Sequence, residues 1–195
     1  MALNTSSLSW IPNAISFARM GLAAPIAWAI LEENHALALV LALIGGVSDA
    51  LDGWLAKRFS WQTALGGVLD PIADKLMLVA AFSALVVTGA MPWWLFLLTV
   101  GRDLVIVAGA VVYHNVVGPL VASPTRISKL TTLAQIVYAV MLLVQDLPQI
   151  DVPALLLQGL MWLVAATTVV SGLHYVVTWS RKLRIALQTE GNRNR

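Results

Sequence analysis

A chain of 195 residues that is 59% hydrophobic and 11% charged departs from the roughly 45–50% apolar and 25% charged make-up of soluble domains, which excludes an ordinary soluble fold and leaves room for a single membrane domain over 1–195. It contains no cysteine, so disulfides and thiolate metal sites are excluded and any metal ligand must be Asp, Glu or His. A formal charge of +2, without a basic stripe interleaved with aromatics, excludes a nucleic-acid partner.

The first apolar stretch, near 12–31, has no Lys or Arg before Arg19. It lacks the charged n-region of a cleavable signal peptide and is expected to stay in the membrane. Further stretches follow near 36–56, 64–88, 92–113, 130–146 and 152–178. Each is long enough to cross roughly 30 Å of hydrocarbon at about 1.5 Å per residue. The expectation is an all-α polytopic membrane protein with six transmembrane helices. The connections Glu32 to His35, Lys57 to Gln62, Gly89 to Pro92, Gly118 to Arg126 and Asp146 to Pro153 carry polar or helix-ending residues. Lys57 and Arg58 mark the second connection, Arg126 and Lys129 the fourth, and Arg181, Lys182 and Arg184 the tail. The first, third and fifth hold no Lys or Arg, and Glu32, Glu33, Asp146 and Asp151 fall among them. Cytoplasmic loops accumulate Lys and Arg, so this alternation predicts both termini in the cytoplasm. Trp10, Trp61, Trp93, Trp94 and Trp179 fall near predicted helix ends, where indole favours the interface. Trp162 falls inside a helix, and a packing role is expected for it.

The second and third stretches run through VSDALDGWLAKRFSWQTALGGVLDPIADK and embed Asp49, Asp52, Asp70 and Asp74. An acid at a helix centre costs roughly 2.5–3.5 kcal/mol on insertion scales, so an intramembrane carboxylate is a functional-site hypothesis by default. Asp49 and Asp52 are spaced i,i+3 and Asp70 and Asp74 i,i+4, so each pair shares a helix face. At the helical rise, Asp49 lies about 12 Å from the end of its stretch near Lys57 and Asp70 about 9 Å from the start of its own near Ala64. The pairs therefore reach similar depth near the cytoplasmic side. Four ionised carboxylates in a low dielectric require partial protonation or neutralising cations. Two divalent ions balance the charge, and all-oxygen ligands suit Mg²⁺, Mn²⁺ or Ca²⁺ better than Zn²⁺; Lys75 and Arg102 can pair with only some of the acids. Gly53 and Ala56, and Gly66 with Gly67, offer room for a phosphate or nucleotide to approach the backbone. The alternative is that these small residues only pack helices together.

Arg102 and Asp103, in VGRDLVIVAG, lie inside the fourth stretch and serve either a local ion-pair network or an anionic ligand. Arg126 and Lys129, in SPTRISKLTT, either bind an acceptor phosphate, the preferred reading, or enforce topology against lipid headgroups. His35, His114 and His174 show no metal-ligand spacing with one another and are expected to be solvated or interfacial.

The pattern D-x-x-D-G-x-x-A-R, eight residues, then G-x-x-x-D-x-x-x-D is one that this chain fits with Asp49, Asp52, Gly53, Ala56, Gly66, Asp70 and Asp74. It resembles the signature of the CDP-alcohol phosphatidyltransferases. Lys57 stands where Arg is usual, with Arg58 following, which keeps the charge and loses the bidentate fork. The resemblance implies that an acceptor hydroxyl attacks the phosphoryl group of CDP-diacylglycerol and releases CMP, with two divalent cations, Mg²⁺ or Mn²⁺, clamping the displacement. It further implies Asp49, Asp52 and Asp70 as core metal ligands and Asp74 as general base and additional metal contact. Gly53, Ala56, Lys57 and Gly66 would face the nucleotide diphosphate, and Arg102, Arg126 and Lys129 a phosphate-bearing acceptor. IPNAISFAR, with Asn13 and Arg19, resembles the opening of glycerol-type members. The GRD segment and PTRISKLTTLAQ resemble the eukaryotic-type cardiolipin synthases, whose acceptor is phosphatidylglycerol, and the reading leans that way. Overall size and the opening equally resemble the phosphatidylglycerophosphate synthases, whose acceptor is glycerol 3-phosphate. A homodimer in a bacterial inner membrane, its active site toward the cytoplasm, completes the expectation. The rival class is a secondary transporter, whose acids lie near the midplane between inverted repeats; here the acids gather toward one face and no matching motif recurs in the second half.

Overall fold

The computed structural model describes residues 10–59, 66–117, 125–148 and 150–193, without the side chains of 11, 12, 57, 67, 68, 112–117 and 182–193. Trp61, Gln149 and most of the connection expected from Gly118 lie outside the described residues, as do the side chains of Lys57, Gly67 and His114. Six helices run through the described residues: α1 (Ile11–Leu31), α2 (His35–Arg58), α3 (Gly66–Val87), α4 (Trp93–Val117), α5 (Arg126–Val144) and α6 (Ala154–Arg193). No strand occurs among them, so the all-α class holds.

Five helices are long and apolar enough to cross a membrane, over Asn13–Leu31, His35–Ala56, Trp93–Val111, Arg126–Val144 and Ala154–Arg181. The exception is α3, which has the length at 22 residues but carries Asp70, Asp74 and Lys75 in its first half. The charge, not the length, sets it apart.

Local chemistry fixes the helix ends. Pro lies in the first turn of α1, where a missing N–H costs nothing and its fixed φ suits the helix. The Leu37 N–H donates to Asn34 Oδ1 at 3.1 Å, capping α2. Gly89, at φ 79°, turns the chain out of α3 in the left-handed region that suits a residue without Cβ. The Ser128 N–H donates to Thr125 Oγ1 at 3.2 Å, so α5 starts at Arg126, ahead of the apolar run expected from 130. At the other end of the chain, α6 continues to Arg193, past the expected 178. The added segment is rich in Arg, Lys, Leu, Ala, Gln and Glu, residues of high helix propensity that hydropathy reads only as too polar for lipid.

The chain gathers into two compact units, Met1–Met91 with Ala139–Val152 and Pro92–Tyr138 with Pro153–Arg195. In the first, α1 packs against both α2 and α3. Its buried stripe is Ser16, Arg19, Ala23, Ile26 and Ile30, spaced by three and four as one helix face requires. Small buried residues on the partners, Ala38 of α2 and Ala73 and Ala84 of α3, let the helices approach closely. The Met77 thioether of α3 fills the space that a side chain at Gly45 of α2 would take. In the second unit α4 packs against α6. The Thr131 hydroxyl of α5 shares its one proton between the Ile127 carbonyl of its own helix at 2.9 Å and the Thr167 carbonyl of α6 at 3.1 Å. Trp162 sets its ring 5.7 Å from that of Trp94 while remaining 61% exposed, so its packing is a ring contact on the outside of the unit.

Candidate active site

Two polar side chains of α1 gather the four aspartates. Ser16 and Arg19 lie one turn apart on the buried face of α1, each only 1% exposed. Arg19 Nη1 donates to Asp49 Oδ1 at 2.6 Å and to Asp74 Oδ1 at 2.9 Å, and Nη2 donates to Asp52 Oδ2. The Ser16 hydroxyl lies 2.5 Å from Asp70 Oδ1 and 3.5 Å from Asp52 Oδ2; having one proton, it donates to one of them at a time, and Asp70 is nearer. The acids of α2 and the acids of α3 therefore converge on α1 within one unit, and the expected facing of the two pairs runs through a third helix.

The cluster has a floor and an open side. The Asp52 side chain is 3% exposed, whereas those of Asp49 and Asp74 are 47% exposed. One guanidinium engages three of the carboxylates and a neutral hydroxyl the fourth, so with all four ionised this set carries more negative charge than Arg19 offsets. An all-oxygen, over-charged set of this kind suits a hard divalent cation such as Mg²⁺ or Mn²⁺. Among the described residues no three carboxylate or imidazole groups surround a common point as metal ligands; Arg19 is what the carboxylates surround. The donor chemistry thus fits a metal, and Asp49, Asp52, Asp70 and Asp74 are the residues that would hold it.

A Cβ at Gly53, next to Asp52, would meet nothing within 4 Å. Packing among the described residues does not demand a glycine there. Ala56 is half-buried and Gly66, which opens α3, is buried.

The acceptor candidates lie in the second unit. Arg102, whose side chain is 4% exposed, donates to Asp103 Oδ1 at 2.6 Å, Ser128 Oγ at 2.7 Å and Ser171 Oγ at 2.6 Å. Its guanidinium carbon sits 5.8 Å from the Tyr175 ring centre, within cation–π range. Of the two roles weighed for it, the ion-pair network is the one seen, and it ties α4 to α5 and α6. Arg126 and Lys129 flank this junction in the first turn of α5 and are exposed. His35 Nδ1 lies 3.5 Å from Asp146 Oδ2, and the His174 ring stands edge-on to Tyr175 at 6.5 Å; neither belongs to the aspartate cluster.

Sequence reasoning gave Ser16 no role and named Arg19 only as a polar position. The signal was present: Asn13, Ser16 and Arg19 recur every third residue in an apolar stretch, and an intramembrane arginine is expensive enough to require a partner.

The family model described as CDP-alcohol phosphatidyltransferase matches residues 9–170. The chain is 32% identical over 143 residues to the cardiolipin synthase (CMP-forming) of Homo sapiens, covering 65% of this chain and 48% of that one. It is 31% identical over 192 residues to the probable cardiolipin synthase (CMP-forming) of Drosophila melanogaster, covering 90% and 59%. It is also 31% identical over 180 residues to the CDP-diacylglycerol–glycerol-3-phosphate 3-phosphatidyltransferase of Bacillus subtilis (strain 168), covering 85% and 92%. It thus spans about half the length of the animal relatives and most of the bacterial one.

Proposed function

Because the chain belongs to the CDP-alcohol phosphatidyltransferase family, a family of enzymes, we propose that it transfers the phosphatidyl group of CDP-diacylglycerol to a hydroxyl of a phosphate-bearing glycerol-type alcohol, with residues 1–195 acting as one transferase domain. The observation that carries this reading is the convergence of Asp49, Asp52, Asp70 and Asp74 on one side chain pair of α1. Asp49, Asp52 and Asp70 would hold the divalent cations, with Asp74 as a further contact. Bound Mg²⁺ or Mn²⁺ supplies the positive charge that steadies the transferring and leaving phosphoryl oxygens. Asp74 stands on the open side of the cluster, where a carboxylate can meet an incoming hydroxyl and take its proton. The acceptor oxygen forms the new bond to phosphorus, the bond to the CMP oxygen breaks, and CMP leaves. The bare backbone at Gly53, with Ala56, Lys57 and Gly66, receives the diphosphate. Arg126 and Lys129, exposed at the start of α5, receive the acceptor phosphate; the contacts of Arg102 with Asp103 and two serines support a role for it in holding that end of α5 in place.

In this reading all six helices cross the bilayer, α3 by pairing its acids with Ser16 and Arg19 of α1, with both termini and the active site on the cytoplasmic side of a bacterial inner membrane and two copies per assembly. Phosphatidylglycerol is the preferred acceptor, giving cardiolipin, as the name of the Homo sapiens relative suggests. Glycerol 3-phosphate is the alternative, favoured by the Bacillus subtilis relative that the chain matches over 92% of its length.

The test is purified protein in nanodiscs, given CDP-diacylglycerol with each acceptor in turn, with CMP release and lipid mass followed together. Cardiolipin from phosphatidylglycerol, lost on chelation and restored by Mn²⁺, is the expected result. Phosphatidylglycerophosphate instead moves the assignment to the alternative, and no CMP with either acceptor overturns both. Full turnover in chelated protein removes the metal from the scheme.

A further inference from the structure

We propose that Arg19 is a resident counter-ion of the aspartate cluster, holding the carboxylates assembled when no divalent cation is bound and opposing the cation that enters. The inference rests on the reading that these aspartates bind metal. Its basis is the position of one guanidinium at the meeting point of two helices' worth of acid: Nη1 joins Asp49 of α2 to Asp74 of α3, and Nη2 takes Asp52. Without it, carboxylates that share a poorly solvated site repel one another, and α2 and α3 lose what draws their acids together. Water reaches the exposed edges of Asp49 and Asp74, whereas the Arg19 side chain that joins them is fully buried.

The same contacts set Arg19 against a metal. The oxygens it engages belong to three of the four candidate ligands, and a cation bound among them meets a like charge at close range. The Arg19 Nε, like that of Arg102, is buried with no acceptor among the described residues. The contacts that the Arg19 guanidinium makes are ionic, and a divalent cation among the same oxygens competes for them. Ser16 is indifferent to this exchange, being neutral, and it keeps its contact with Asp70 in either state.

A positioning residue of this kind moves two measurements in opposite directions, which a merely structural residue does not. The experiment uses the full chain in nanodiscs, with Mn²⁺ alone as probe, bound metal counted by electron paramagnetic resonance, and thermal unfolding of chelated protein alongside. Arg19→Gln removes the charge and keeps a polar side chain. It is expected to melt lower than wild type when chelated and to bind Mn²⁺ about ten-fold tighter or more, the direction that removing a neighbouring like charge dictates. Arg19→Lys keeps the charge as a mobile point without the fork and is expected to fall between the two in affinity; it decides the matter if Arg19→Gln does not fold. Variants that bind Mn²⁺ as wild type does, or more weakly, overturn the counter-ion and leave the metal reading standing. Wild-type protein that binds no Mn²⁺ overturns both.

Discussion

Two buried arginines show how differently one side chain can be accommodated in apolar surroundings. Arg102 pairs with its chain neighbour Asp103 and with two serine hydroxyls beside a tyrosine ring; Arg19 draws its partners from two other helices. Glycine makes a similar contrast. The space beside Gly45 is filled by Met77, whereas no described residue comes within 4 Å of a Cβ at Gly53. Gly53→Ala should therefore leave Tm unchanged or raise it, since alanine gains up to about 1 kcal/mol over glycine inside a helix. KM for CDP-diacylglycerol should rise at the same time, because the methyl group enters the space proposed for the diphosphate. A lower Tm with KM unchanged would make Gly53 a packing glycine after all. The aspartates were legible in the sequence because charge in lipid is conspicuous by its cost. The identity of their partner was not, because Arg19 lies 30 residues from the nearest of its acids, and periodicity speaks only of neighbours on the same helix.

At the scale of elements, the junction of α4, α5 and α6 separates what is built to hold from what is free to bind. Arg102→Ala leaves Asp103, Ser128 and Ser171 without their shared donor. Removing one partner of a buried ion pair costs about 3–5 kcal/mol, discounted here because the Asp103 side chain is 21% exposed. A lower Tm is expected, with acceptor KM near wild type in the protein that remains folded. Arg126→Ala should do the reverse, raising acceptor KM by about ten-fold, as loss of one charge-assisted phosphate contact of roughly 1.5–3 kcal/mol implies, at unchanged Tm. If both variants shift KM equally, Arg102 contacts the acceptor too. Helix existence was readable throughout from apolar runs, but the ends of α5 and α6 were not. Thr125 caps α5 with one hydrogen bond, and the polar continuation of α6 is set by helix propensity; neither leaves a trace in hydropathy.

For the whole molecule the open question of topology turns on α3, the helix whose charges weigh against crossing. A chain without cysteine gives labelling experiments a clean background. Single cysteines at Asn34 and Ala90 are expected to react with an impermeant reagent only from outside, and one at Phe59 only from the cytoplasm. Reaction at 59 and 90 from the same side would show that α3 does not cross and would end the six-span reading.

The placement of Arg19 on the first helix also bears on how such a chain is made. Synthesis runs from the N-terminus, so α1 reaches the bilayer before the acids of α2 and α3 leave the ribosome. The costly hairpin is then not inserted into bare lipid: its counter-charge is already waiting at depth. Biogenesis inherits an order from the fold, in which the helix that later lies among the aspartates first serves as their point of entry, and a nascent chain begun after α1 would have to insert α3 on the strength of its own composition.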